Sequence, residues 1–458
     1  MRERRAEVWT RLAVQPLKMG SVYVSDTQCR FTYDLDYLHA GLPGLGRVYA
    51  PEFFGENTIK RTRNQAFDFL PPLQALIPPH TEDNFIRRLI VQALQKKGVP
   101  MRDRFEQDWE ILLLAGHGGI GHIDVFASDD EARAWYAQPS SKLRAVADAE
   151  FGFSLKDFLT WFDKDAEHLL SIIGPTPSVG GMVPKLLLAI PQQGWDGQIG
   201  LPTRYGDTHN TDVVLKLEKS TLYPGIVELE AMGLELHKAA GLNVPRYWRV
   251  DLSGVPGIAI ERFDRDAQRV PVFMESFYSI LASADEGILT PYDAPYDRIG
   301  RALNSADIQL VAERKTAVEH LLQRLLLAML TGNGDLHLAN LSLLNTSAGM
   351  AFSPVYDPTP MRAYSLHNAL VPTGMLFGDY SDYIKNQDAA VGYEQAITRF
   401  IKGLGIAKDR GRAIIEKALA DTADFTDRVA ALMTVPAEHK QRLESIHVEI
   451  AQKLRALV

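Results

Sequence analysis

The chain has 458 residues, of which 46% are hydrophobic and 23% charged, with a formal net charge of −8 at pH 7. That balance excludes a disordered or fibrous protein, and the length predicts two or three domains. The acidic balance also argues against nucleic-acid binding over the whole surface, and the single cysteine, Cys29, excludes an intrachain disulfide or a cysteine metal site, as suits a reducing cytoplasm.

The first residues, MRERRAEVWTRLAV, carry charges but no continuous apolar segment, so no secretory signal is expected. Residues 1 to about 150 mix short strand-like runs with two amphipathic helices. In the first, from about Asp83, Ile86, Leu89, Ile90, Ala93 and Leu94 recur at helical spacing, and Gly98 and Pro100 supply the stop. Basic residues Arg87, Arg88, Lys96, Lys97, Arg102 and Arg104 flank that stripe and read as a solvated face. In the second, Phe105, Trp109, Leu112 and Leu113 share a face. GHGGIGH then turns into the apolar run IDVF. GHGGIG matches G-x-G-x-x-G, but it follows a helix and leads into a strand, the reverse of a dinucleotide site, and reads as a turn whose neighbours His117 and His122 are polar loop histidines.

From about 151 to 262 the pattern is strand-rich, with PKLLLAI, DVVLKLE and PGIAIERF as short β-type runs. One helix interrupts them between Pro224 and Gly241. Beyond residue 263 helical patterns dominate. The most apolar stretch, Leu321 to Leu330, is broken by Gln323 and Arg324; it is too short for the ~20 residues of a membrane span and reads as a buried helix. Two lobes are implied, one sheet-rich and one helical, with a crossing near Glu261 to Asp264.

The chemistry concentrates at NGDLHLAN, residues 333–340, where Asp335 and Asn340 are five apart. That spacing serves phosphoryl transfer: the Asp accepts a hydroxyl proton and the Asn helps hold magnesium against phosphates. Asp357, 22 residues after Asp335, sits where a second metal-binding Asp would follow a β-hairpin. Singly, Asp335 in N-G-D and Asp357 in D-P are also ordinary turn residues; their combination is what carries the reading. Alternation in DVVLKLEK places Lys216 opposite Val213, Leu215 and Leu217, where a lysine needs an anion, and Glu230, or Glu228, on the next helix is the candidate to orient it; taken singly, an exposed strand lysine beside Glu218 explains it equally. Paired glycines in SVGGMVPK allow backbone N–H groups to approach phosphate oxygens, although a plain hairpin explains them equally.

With these motifs in this order, nearly the whole chain resembles the HipA family of bacterial serine/threonine kinase toxins, the kinase half of type II toxin–antitoxin modules. SVGGMVPK resembles the family's phosphate-binding segment, VVLKLEK its ATP lysine strand, YPGIVELE the start of the helix carrying its glutamate, and AIERFDR its hinge. GDLHLAN and SPVYD complete the set, and residues 1–150 with AGHGGIG resemble the family's small N-terminal subdomain. The resemblance implies an α+β, protein-kinase-like fold: a small α/β subdomain (1–150), a sheet-rich N-lobe (151–262) and an all-helical C-lobe (263–458). It implies ATP and Mg2+ as cofactors, Asp335 as catalytic base and Asn340 and Asp357 as magnesium ligands. Lys216, Glu230, Gly180, Gly181, His337 and the backbone around Glu261 and Phe263 would bind ATP, and Ser178 would be the autophosphorylated serine whose modification switches the kinase off. A small HipB-like DNA-binding antitoxin is the expected partner, with operator DNA met mainly through it, and an aminoacyl-tRNA synthetase the expected class of target. The residue before the metal-binding Asn, often Lys in the family, is Ala339 here. A small-molecule kinase of the same fold and a catalytically silent co-repressor subunit are the rival readings; the HipA-like N-terminal subdomain argues against the first, and intact Asp335, Asn340 and Asp357 against the second.

Overall fold

The computed structural model describes residues 3–458 except 14, 82–83, 139–141, 147–182, 205–209, 253, 373–374 and 379–391. Ser178, Gly180 and Gly181 lie outside the described residues. The chain forms two compact units, one of Met1–Lys219, Arg246–Glu275 and Ser279–Leu289, the other of Ser220–Pro245, Ser276–Tyr278 and Thr290–Val458.

In the first unit, β1 (Arg4–Thr10), β2 (Leu17–Val24), β3 (Gln28–Tyr33), β4 (Ile59–Thr62) and β5 (Ile123–Phe126) make an antiparallel sheet in the order β4-β3-β2-β1-β5. Two helices, α1 (Phe85–Lys96) and α2 (Arg104–Ala115), accompany it. Each starts where a side chain satisfies a helix N–H that has no partner inside the helix: Asn84 accepts from Arg87 N and Asp103 from Glu106 N. Arg87 corrects the expected solvated face. It is 5% exposed and its guanidinium donates to Asp108 and to the Pro78 carbonyl, because a charge on the buried side of α1 is tolerable only when paired. Lys96, Lys97, Arg102 and Arg104 are exposed as expected.

A second antiparallel sheet, ordered β8-β9-β7-β6, comprises β6 (Lys185–Pro191), β7 (Asn210–Leu217), β8 (Tyr247–Leu252) and β9 (Val255–Glu261). Alternation along β7 sends Val213, Leu215 and Leu217 into a core shared with Leu186, Leu188 and Ile190 of β6 and with Val8, Leu89 and Trp109 from residues 1–150. That shared core explains why one unit holds both sheets.

The second unit contains α3 (Ile226–Ala239), α4 (Tyr296–Leu303), α5 (Arg314–Thr331), α6 (Tyr393–Gly403), α7 (Lys408–Asp421) and α8 (Ala437–Arg455). The apolar run around Leu321–Leu330 is indeed a buried helix, α5, in which every position from Arg324 to Thr331 is buried. A β-hairpin, β10 (Ser342–Thr346) and β11 (Gly349–Phe352), also lies here, and Met274–Ser276 is a further strand, so residues 263–458 are not the all-helical lobe expected. Among the described residues no helix is long and apolar enough to cross a membrane.

Candidate active site

Helix α5 stops at Gly332, whose φ of +76° sends the chain out in the left-handed conformation that glycine adopts without strain. Asn333 follows, 2% exposed, and joins two loops: its Oδ1 accepts the Asp335 N–H at 3.1 Å and its Nδ2 donates to the Asp357 carbonyl at 3.4 Å. The Asp335 side chain is 36% exposed, open enough to receive a substrate hydroxyl. Its carbonyl accepts from the His337 N–H at 2.8 Å and from Asn340 Nδ2 at 2.9 Å. Because the Asn340 amide nitrogen is thereby used, its oxygen is the atom left to meet a cation. His337 Nδ1 accepts from the Ala339 N–H at 3.2 Å, which puts the proton of the neutral ring on Nε2, 4.0 Å from Asp335 Oδ1.

The hairpin returns the chain to this loop. Tyr356 donates its hydroxyl to the Ala339 carbonyl at 2.7 Å and shares a 2.6 Å bond with Ser342. Asp357 then takes φ +50°, an αL conformation that Asp tolerates better than most residues and one often found at functional sites. Helix α3 presses on the same turn: a Cβ at Gly233 would stand 2.5 Å from the Pro358 carbonyl oxygen. Of the two glutamates weighed on α3, Glu228 accepts from Met433 N, Thr434 N and Thr434 Oγ1 at 2.7–2.8 Å, so it serves the C-terminal segment, whereas Glu230 is buried three residues before Gly233.

Beneath the loop, Tyr296 donates to the Leu336 carbonyl and Leu338 N–H to Pro291, while Tyr292 stands edge-on to His337 with centroids 5.2 Å apart. Burial, with Asp335 nearby, pushes the Tyr292 phenol up to about 12. Arg324 lies buried in α5, and burial pulls it down to about 10 against the pull of Tyr356 and Tyr296. Its Nε and Nη2 have no hydrogen-bond partner among the described residues.

In the first unit, Lys216 is 5% exposed on the face of β7 opposite the core residues, paired with Ile258 of β9 and Lys185 of β6. Lys185 is itself buried, a second cation on that face. Burial opposes ionisation of Glu261, but Arg246, at 2.7 and 2.8 Å, and Arg269, at 3.3 Å, hold its carboxyl below the usual range. The Glu261 side chain is thus engaged, and its backbone N–H donates to the Arg246 carbonyl at 2.9 Å. Residues the sequence reading missed are Asn333, Lys185, Tyr356, Tyr292 and Arg324. Only Asn333 left a signal, as the first letter of N-G-D.

His117 and His122 do not stand in open loops. His122 is 1% exposed with Nε2 3.1 Å from the Gly44 carbonyl, His117 stacks on Phe126, and burial draws both down to about 4. Among the described residues no three His, Cys, Asp or Glu gather as a metal site. Asp357 and Asn340 nonetheless fit magnesium, a hard ion that takes one or two protein oxygens and completes its shell with phosphates and water.

A sheet with a buried lysine, joined to a helical unit whose loops present Asp335, Asn340 and Asp357, is the architecture of the protein-kinase-like class. Residues 177–424 match the family model of the HipA-like C-terminal domain, more than half the chain, and the chain belongs to that family. Its fold matches a HipA–HipB–operator DNA complex from the Shewanella oneidensis MR-1 toxin–antitoxin system, with TM-score 0.62 and 17% identity over 98% of this chain and 97% of that one. A Haemophilus influenzae protein named "Putative kinase" is 25% identical over 226 residues, 47% of this chain and 59% of that protein. "Putative kinase Y4dM" of Sinorhizobium fredii is 33% identical over 153 residues, 30% and 35% of the two chains. The chain thus spans less than two thirds of the length of these curated relatives.

Proposed function

We propose that the chain is an ATP- and magnesium-dependent serine/threonine protein kinase acting as the toxin of a toxin–antitoxin module. The observation that carries this reading is the way Asn333 ties Asp335 to the Asp357 turn while the Asp335 carbonyl orients Asn340. In it, a serine or threonine hydroxyl of a protein substrate loses its proton to Asp335 as its oxygen bonds the γ-phosphorus, and the bond from that phosphorus to the bridging oxygen breaks to release ADP. Magnesium, held by Asp357 and Asn340, supplies charge neutralisation on the phosphates when bound. Lys216, Glu230 and His337 serve the phosphate side; the backbone of Glu261 and Phe263 meets the adenine.

In this reading 1–150, 151–262 and 263–458 are the functional segments, and Gly180 and Gly181 lie in the phosphate-binding segment. Ser178 is the autophosphorylation site that ends activity. The partner is a HipB-like antitoxin that contacts operator DNA, supported by the assembly in which the Shewanella relative was solved. The target is a cytoplasmic translation protein such as an aminoacyl-tRNA synthetase. Incubation of the purified chain with ATP and magnesium, followed by mass spectrometry, should find phosphate on Ser178. A chain that acquires phosphate on no residue contradicts the reading.

A further inference from the structure

The G-x-G-x-x-G run at 116–121 has no part in the chemistry above, yet buried side chains bond it from two sides. Strand alternation at the end of β9 leaves Glu261 and Phe263 half-buried and turns Arg262 and Asp264 into the interior, 3% and 1% exposed. These inward side chains land on the glycine loop. Arg262 donates from Nη1 to the Gly118 carbonyl at 3.1 Å and from Nη2 to the Gly119 carbonyl, and Gly121 N–H donates to Asp264 Oδ2 at 2.7 Å. Arg262 and Arg265 both bind Asp264 at 2.8 Å. Asp124 closes the far side: it accepts from Gly118 N–H at 2.8 Å and Tyr136 Oη at 2.6 Å, and pairs with fully buried Arg11 at 2.7 Å. Asp212, bonded by Thr203 through its carboxylate, accepts the Arg262 N–H on its carbonyl.

Three arginines, Arg11, Arg262 and Arg265, therefore face three aspartates, Asp124, Asp212 and Asp264, none more than 8% exposed. A buried network of this kind adds little net stability over apolar packing, since desolvation offsets the attraction; what it can add is a fixed geometry. Two glycines of the loop are favoured by the backbone itself. Gly118 and Gly121 hold φ of +76° and +82°, and a Cβ at Gly121 would come within 3.3 Å of the Met274 carbonyl. Residues 1–150 take a second hold beyond the hinge: Arg47 N–H donates to Glu275 at 2.7 Å, Arg61 to the Ala282 carbonyl at 2.6 Å and Tyr49 to the Ser283 carbonyl at 3.4 Å.

We propose that residues 1–150 brace the hinge, with Arg262 and Asp264 as positioning residues that fix the backbone of Glu261 and Phe263 where the nucleotide base is received. This rests on the reading of 261–263 as the adenine-binding segment. The brace then sets nucleotide affinity and leaves the transfer step to other groups.

The test compares wild type, Asp264→Asn and Gly121→Ala, the last of which keeps every charge. It uses equilibrium titration with a fluorescent N-methylanthraniloyl ATP in magnesium, single-turnover autophosphorylation at saturating ATP, and thermal melting. Both variants should bind the nucleotide at least about tenfold more weakly, a loss of the size of one well-made contact, while the saturated transfer rate stays within about twofold. Variants that melt earlier but keep wild-type affinity, or a folded Gly121→Ala that binds as wild type, overturn the brace. If wild type itself binds no nucleotide, the kinase reading falls instead.

Discussion

Asn333 shows how much of this site is made by one small side chain. An amide has both a donor and an acceptor, so Asn333 can fix the Asp335 N–H and the Asp357 carbonyl together, which neither Asp nor Leu could do. Glu275 is the opposite case, a carboxylate in a place that disfavours charge. Burial raises its pKa from 4.5 to about 7, only partly countered by the Ser279 hydroxyl, the Arg47 N–H and the Arg47 charge. Below pH ~4.5 it is protonated whether folded or unfolded. Between ~4.5 and ~7 the unfolded chain has released the proton that the folded chain keeps, so stability falls as pH rises across that window. Glu275→Gln, which keeps both hydrogen bonds in neutral form, should therefore abolish this component: denaturant titrations at pH 5 and pH 8 should show the variant gaining on wild type by about 2–3 kcal/mol at the higher pH. Equal pH dependence of the two proteins would show that Glu275 is charged in the folded state.

At the scale of elements, the strands and helices that carry the site were legible because each has a clean period. Lys216 falls opposite Val213, Leu215 and Leu217 as alternation requires, and Leu229, Met232 and Leu236 form a buried face of α3. What could not be read was which polar residue goes inside. Arg87 and Arg324 look like surface residues on a helix until the partners or the burial around them are known, and His122 is buried by contacts with residues nearly eighty positions away. The hairpin was foreseen between Asp335 and Asp357 but not the strand β8, whose Tyr247–Leu252 alternates too weakly to stand out. Packing of α3 on the Asp357–Pro358 turn makes its own prediction. Gly233→Ala puts a methyl 2.5 Å from a backbone oxygen that has nowhere simple to go, so it should lower stability by about 1–3 kcal/mol and shift Asp357 with Pro358. Calorimetric melting with a parallel magnesium dependence of transfer measures both; an unchanged melting temperature would mean that α3 does not define the turn.

For the molecule as a whole, chain order and compact units differ. Residues 1–150 resemble a separate subdomain in sequence, yet they share a core with β6, β7 and β9 and grip the segment after β9 through buried hydrogen bonds of Arg262 and Asp264 with the 118–121 backbone. Sequence periodicity has no access to such pairing, because the partners are more than a hundred residues apart. Family and fold were legible because the motifs occur in a fixed order along most of the chain.

The most direct measurement is the single-turnover rate of γ-phosphoryl transfer by Asp335→Asn at saturating magnesium-ATP. Loss of a general base should slow transfer by about 10²–10⁴-fold while ATP affinity stays within about threefold, since Asn preserves the loop's shape. A variant that transfers phosphate at the wild-type rate would contradict the assignment of Asp335 and, with it, the mechanism built around this loop.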